Sequence, residues 1–252
     1  MTIHFVGAGP GAADLITVRA QRLLSQCSVC LYAGSLVPAE VLAHCPPGAR
    51  LVDTADLTLD QITAALVDAD AAGLDVVRLC SGDPAVFSAV AEQARRLDRA
   101  GIGYDITPGV PAFAAAAAAL SRELTVPGVG QTVILTRIAQ RATPMPPGED
   151  LASLGATGAT LVLHLAVQRI EQVVAELTPH YGPSCPAAVV AYASQPGEIV
   201  LRGTLGDIAA LVQAADVKRT AVIIVGQVLA AEGFRDSHLY SAARDRGTPN
   251  SS

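Results

Sequence analysis

The chain is poor in charge, in aromatic residues and in long apolar runs, and it has no tryptophan. Only 16% of its 252 residues are charged and 4% are aromatic. Disordered chains are rich in charge and poor in hydrophobic residues, so this composition excludes that class. Basic residues number 17 against 23 acidic ones, a net charge of -6, and they are scattered with no polybasic block. General nucleic-acid binding is therefore excluded, and a small-molecule substrate is expected. No apolar stretch reaches the roughly 18 residues of a membrane span. The longest obvious one, Ala112 to Leu120, is closed by Ser121-Arg122-Glu123. Met1 leads straight into the strand-like run Ile3 to Val6, which leaves no room for a signal peptide, so no membrane association and a cytoplasmic location are expected. Five cysteines are an odd number and suit free thiols in a reducing compartment. Cys27-x-x-Cys30 lacks a second pair, and the histidines at 4, 44, 164, 180 and 238 show no ligand spacing, so no metal is expected. Neither a Ser-His-Asp set nor paired carboxylates are evident.

What the chain does have is apolar residues, 51% of the total, enough for one large or two modest α/β cores with an interface to spare. Val76-Val77-Arg78-Leu79-Cys80 reads as a buried parallel strand that stops abruptly at Ser81-Gly82-Asp83-Pro84. Gly82 lets a ligand approach the backbone, Asp83 offers a carboxylate, and Pro84 is suited to the first position of a helix over Ala85 to Arg99. Ligands of open α/β sheets sit outside the carboxyl ends of the strands, which makes this turn the expected site; a tight strand-to-helix turn with no ligand reads the same way.

Around it the pattern alternates. Strands are predicted at Ile3 to Val6, Val29 to Tyr32, Leu51 to Val52 and Tyr104 to Thr107. Thr58 and Gln61 form a capping box ahead of a helix that Gly73 ends. This alternation gives a parallel, doubly wound sheet. Ala112 to Ala119 is a helix of small residues. The second half predicts strands at Thr132 to Leu135, Thr160 to Leu165, Pro186 to Tyr192, Ile199 to Thr204 and Ala221 to Val225. Helices are expected at Val167 to Leu177, stopped by Thr178-Pro179, and at Leu205 to Ala215. The short connection Ala193 to Glu198 allows a hairpin, so this second sheet is mixed. The expected organisation is α/β with an N-terminal domain over 1–120, a linker at 121–128, a C-terminal domain over 129–235 and a polar tail over 236–252.

The first loop, Gly7-Ala8-Gly9-Pro10-Gly11-Ala12, satisfies a dinucleotide fingerprint, yet Pro10 has no amide to offer a pyrophosphate and no acidic residue follows at ribose distance. Taken together, Val6 to Gly11 with Leu15-Ile16-Thr17, Ser81 to Phe87 and Pro108-Gly109-Val110 resemble the three signatures of the tetrapyrrole methylase family, in order and over nearly the whole chain. Tyr32 to Val37, Glu123 to Pro127 and Gln131 to Arg137 are similar to the members that methylate ring carbon 11 of precorrin-4 in corrin synthesis.

The resemblance implies a tetrapyrrole substrate, S-adenosylmethionine as donor bound between two α/β domains, no metal, and a homodimer. It places the donor on Pro10, Ser81, Gly82, Asp83, Val86, Pro111 and Ala112, and from the second domain on Leu165, Ala193 and Ala221. Relatives acting on uroporphyrinogen often carry Gly where Ser81 stands and Met where Leu165 stands. Tyr32 is the candidate to assist proton removal. Arg122, Arg137 and Arg141 are candidates for the substrate carboxylates, with solvated surface arginines as the plain alternative. Rival readings are a methylase of another precorrin carbon or of cobalt-precorrin-4, a dinucleotide-binding oxidoreductase, and a non-catalytic paralogue.

Overall fold

The computed structural model describes residues 2–139 and 143–238, apart from the side chain of Ser35. The chain divides into two compact units, Met1–Ala119 with Val190–Ile199, and Leu120–Val189 with the residues from Val200 onward.

The first unit carries β1 (Ile3–Gly7), α1 (Val18–Leu24), β2 (Val29–Tyr32), the short α2 (Ala39–Leu42), β3 (Arg50–Asp53), α3 (Leu59–Ala71), β4 (Val76–Cys80), α4 (Val90–Ala100), β5 (Tyr104–Thr107) and α5 (Ala112–Ala119). Its sheet is parallel throughout, in the order β3-β2-β4-β1-β5. All of β4 is buried, as its unbroken apolar run requires of a strand covered on both faces. Alternation decides which side chain meets which helix. Ile3, Phe5, Val29, Leu31, Val76 and Cys80 pack with α3 and α4. Val6, Cys30, Val77 and Leu79 pack with α1 on the opposite face. The connections leaving β1 and β4 thus depart to opposite faces of neighbouring strands, the arrangement that opens a crevice at their carboxyl ends.

The second unit holds β6 (Val133–Arg137), α6 (Leu151–Gly155), β7 (Thr160–His164) and α7 (Ile170–Tyr181). Beyond these come β8 (Pro186–Ala191), β9 (Ile199–Thr204), α8 (Ile208–Ala214) and β10 (Ala221–Val225). The sheet order is β6-β7-β10-β8-β9, with β6 parallel and β10 antiparallel to β7, so the expected mixed sheet is present. No helix of the described residues is long and apolar enough to cross a membrane.

Local chemistry explains both agreement and error. The Thr58 hydroxyl accepts from the Gln61 amide while the Gln61 side chain accepts from the Thr58 amide, so the predicted capping box closes. Pro84 does not start a helix: α4 begins only at Val90. Side-chain bonds hold the intervening residues instead. The Asp83 carboxylate accepts from the Ala85 amide at 2.7 Å, and the Ser88 hydroxyl donates to the carbonyls of Asp83 and Val86. Such local bonds compete with a helix, and Phe87 and Ala89 are left in the left-handed region. Pro179 does not stop α7, which runs on to Tyr181; in the last turn Gly182 closes it by donating to Thr178. The last helix starts at Ile208 rather than Leu205, because the Asp207 carboxylate engages the Thr204 amide just before it.

Candidate functional site

Three glycine-bearing loops meet at the carboxyl ends of β1, β4 and β5. Gly9 and Gly82 form an antiparallel bridge, the Gly82 amide donating to Gly9 at 2.8 Å and the Gly9 amide to Gly82 at 3.2 Å. Ala8 donates to the Cys80 carbonyl at 2.8 Å. On the other side Gly109 lies so close that a Cβ on Gly7 would fall 2.5 Å from its Cα, and a Cβ on Gly109 would collide with the Gly82 carbonyl oxygen. Only residues without side chains allow this approach. Gly82 is a different case. At φ +66 it needs glycine for conformation, while its missing Cβ would have ordinary room, 3.6 Å from Pro111 Cα and the Ala112 amide.

Asp83 ties the loops together. One carboxylate oxygen accepts from Ala85 at 2.7 Å and the other from the Gly109 amide at 2.9 Å. A carboxylate bonded to amides at both oxygens is an organiser of the site more than a mobile acid or base. Ser81, Val86, Pro111 and Ala112 are half-buried around it, and Pro10 is buried.

Residues 192–198 supply a partner that the sequence did not signal. Ser194 Oγ accepts from the Ala12 amide at 3.0 Å, and Gln195 Nε2 donates to the Pro10 carbonyl at 3.4 Å. Glu198 in turn accepts from the Ser194 amide at 2.7 Å. Tyr192 and Ser194 are both left-handed at φ +52 and +65, an unusual cost on either side of the buried Ala193. Ala193, expected from the second domain, therefore packs in the first unit, with Pro10. Left-handed backbone at Phe87, Ala89, Tyr192 and Ser194 is a shared trait of these loops, but no residue type in the sequence announces it.

The remaining candidates lie at ends of strands. Tyr32 closes β2, packs half-buried against the Val6, Cys30 and Leu79 cluster, and accepts at its carbonyl from the amide and hydroxyl of Thr54. In the second unit Arg137 pairs with His164 at the ends of β6 and β7. Leu165, just past the end of β7, is 63% exposed and left-handed, and Ala221 opens β10, the antiparallel neighbour of β7. Burial pushes the His164 imidazole below its usual range. Arg122 donates to the Ala231 carbonyl at 3.2 Å, and Arg137 to that of Thr143 at 3.0 Å. Arg141 lies outside the described residues.

Below the site, Cys80 is pushed up to about 11 by burial and is a thiol at neutral pH. Cys27 Sγ lies 3.9 Å from Cys45 Sγ. Among the described residues no group of three or more His, Cys, Asp or Glu is placed to hold a metal ion.

Residues 2–209 match the family model for tetrapyrrole (corrin/porphyrin) methylases. The chain belongs to the tetrapyrrole methylase family. It is 66% identical over 248 residues to a precorrin-4 C(11)-methyltransferase of Rhodococcus erythropolis, a match covering 98% of this chain and 100% of that one. Among solved structures, that of a cobalt precorrin-4 methyltransferase superposes with a TM-score of 0.87 at 38% identity, covering 90% of this chain and 95% of the other. The uroporphyrin-III C-methyl transferase of Thermus thermophilus, complexed with S-adenosylhomocysteine, gives 0.79 at 29% identity, with 91% and 99% covered. The two-sheet α/β architecture of this tetrapyrrole methylase is thus the one expected from its three signatures.

Proposed function

We propose that this chain transfers a methyl group from S-adenosylmethionine to ring carbon 11 of precorrin-4, giving precorrin-5. The observation that carries this reading is the 66% identity with a precorrin-4 C(11)-methyltransferase over 98% of this chain and the whole of that one. The lower identity to the cobalt precorrin-4 enzyme favours the metal-free substrate.

The loops suit such a donor. Their glycines bring the three backbones into close approach, and at Gly82 the space toward Pro111 and Ala112 that a Cβ would fill is open. Pro10, Ser81, Gly82, Asp83, Val86, Pro111, Ala112 and Ala193 are the proposed donor residues of the first unit, with Leu165 and Ala221 from the second. When bound, the donor supplies a methyl on a positively charged sulfur, and its displacement by a ring carbon needs alignment and exclusion of water more than a strong acid or base. The chain's part is to hold the donor by backbone and small side chains, with Asp83 fixing the loops. Tyr32 is the proposed aid to proton removal, and Arg122, Arg137 and Arg141 the proposed cationic contacts for substrate carboxylates, offsetting the overall charge of -6.

A dinucleotide is a poorer fit. The first loop runs into a single 3-10 turn at Ala13–Leu15 and not into an α-helix, since α1 begins only at Val18, and the Ala12 amide at the start of that turn is taken by Ser194. A homodimer in the cytoplasm is the proposed assembly and location, supported by exposed apolar side chains such as Val18 and Leu36 and by five free cysteines; light scattering on the purified protein tests the dimer.

Methyl-labelled S-adenosylmethionine and enzymatically generated precorrin-4, analysed by carbon NMR, test the reaction. Label at carbon 11 is expected. Label at another carbon overturns the position, and absence of transfer together with absence of S-adenosylhomocysteine binding overturns the methylase reading.

A further inference from the structure

Arg78 sits where a parallel sheet ordinarily has an aliphatic residue. In register its neighbours are Phe5 on β1 and Leu31 on β2, both fully buried, and Arg78 itself is 6% exposed. Burying a guanidinium costs several kcal/mol unless a partner compensates it. No carboxylate lies within salt-bridge distance of it among the described residues. Its bonds go to neutral acceptors, Nε to Gln93 Oε1 at 3.1 Å and Nη1 to the Leu79 carbonyl at 2.9 Å. Gln93, 2% exposed on α4, passes the connection on: its Nε2 donates at 2.9 Å to the carbonyl of Ala89. Ala89 is the left-handed residue that ends the irregular segment beginning at Asp83.

A glutamine amide can rotate about its last bond, and either end could face the Ala89 carbonyl. Arg78 removes that freedom. A guanidinium has only donors, so it accepts only the Oε1 end of Gln93 and thereby points Nε2 at Ala89. We propose that Arg78 is a positioning residue for methyl-donor binding, acting through Gln93 to fix the strained backbone at Ala89 and hence the segment 83–89 that carries Val86 and Phe87. The inference rests on the donor site proposed above. It explains why a costly buried cation stands three residues before Ser81, on the face of β4 covered by α4.

Gln93→Glu separates positioning from stability. The carboxylate is a better partner for Arg78, so the fold should melt no lower than the unaltered protein. It cannot donate to Ala89, so affinity for S-adenosylhomocysteine, read by calorimetry, should fall about tenfold, the worth of one well-placed hydrogen bond. The donor KM should rise by a similar factor with kcat changed less, and the amides of 88–90 should exchange faster. Arg78→Met, which frees Gln93 to rotate, should weaken binding in the same direction even where it also lowers the melting temperature. Binding by Gln93→Glu within about twofold of the unaltered protein overturns the proposal. Gly82→Val tests the underlying site separately: if it too binds normally, the donor site is misplaced; if it alone loses binding, the site stands and the brace falls.

Discussion

Alanine at Gly109 should damage this protein far more than alanine at Gly82, although Gly82 belongs to the more conspicuous motif. A Cβ at Gly109 would collide with the Gly82 carbonyl and stand 2.8 Å from Gly7 Cα, both backbone atoms that cannot swing aside. Relief requires the loops after β1, β4 and β5 to part. Parting them loosens the two bridge bonds between Gly9 and Gly82 and the bond from Gly109 to Asp83. At about 1 kcal/mol each, these bonds and some residual overpacking amount to roughly 3–5 kcal/mol. Alanine at Gly82 meets nothing closer than 3.6 Å and pays only for its left-handed backbone, about 1–2 kcal/mol. In a chain of this size 1 kcal/mol moves the melting point by about 2–4 °C, so Gly109→Ala should melt roughly 10 °C lower and Gly82→Ala about 4 °C lower. Thermal denaturation followed by circular dichroism, with S-adenosylhomocysteine titrated into each variant, reads both effects. Equal melting points for the two variants would refute the packing argument, because it assigns Gly109 to steric exclusion and Gly82 to conformation.

Three further expectations use the same geometry. Asp83→Asn keeps one acceptor but turns an NH2 toward the amide of Ala85 or of Gly109, so it should cost about 1–3 kcal/mol of stability in urea unfolding and weaken donor binding. Ser194→Ala strands the Ala12 amide and should weaken S-adenosylhomocysteine binding severalfold while changing the melting point little, since the lost bond is a single neutral one; unchanged affinity would separate residues 192–198 from the site. Burial pushes the Tyr181 phenol up to about 12, with Cys185 adding to the shift, and its hydroxyl donates to the Ala159 carbonyl at 2.5 Å. The unfolded phenol titrates near about 10, so as pH rises from there through about 12 the unfolded state has released a proton that the folded state keeps, and stability falls. Tyr181→Phe should be the less stable protein at about pH 8 yet lose less between about pH 9 and 11; parallel losses in the two proteins would mean that Tyr181 does not carry the alkaline transition.

Strands and sheets were legible because their causes are local. Runs of Val, Leu and Ile with the right alternation fold as strands wherever both faces are covered, and Thr58 with Gln61 is a cap in any context. The segment after Gly82 was misread because Pro84 favours a first helical turn, while the bonds from Asp83 and Ser88 that override it depend on side-chain direction. The helix over 170–181 ran past Pro179 because proline in a last turn breaks a single hydrogen bond, not the whole run. Residues 192–198 were invisible as a brace for another reason. Ser194 is 182 positions from the amide it accepts, and no sequence period connects the two. Arg78 likewise gives no signal: the run Val76 to Cys80 reads as a buried strand whatever its middle residue, and only the register with Phe5 and Leu31 shows that the guanidinium is enclosed by apolar neighbours.

The bond between Ala12 and Ser194 also has a timetable. During synthesis at about 5–20 residues per second, every element of the parallel sheet has been made roughly ten seconds before Ser194 is joined to the chain. Through that interval the nascent sheet can form its strand pairing, while the amide of its first loop is served by water. A ribosome-bound chain stopped after α5 would therefore display the three glycine loops without the segment that secures them. On the donor site proposed above, the hold on a methyl donor is completed only once the second half of the polypeptide has been made.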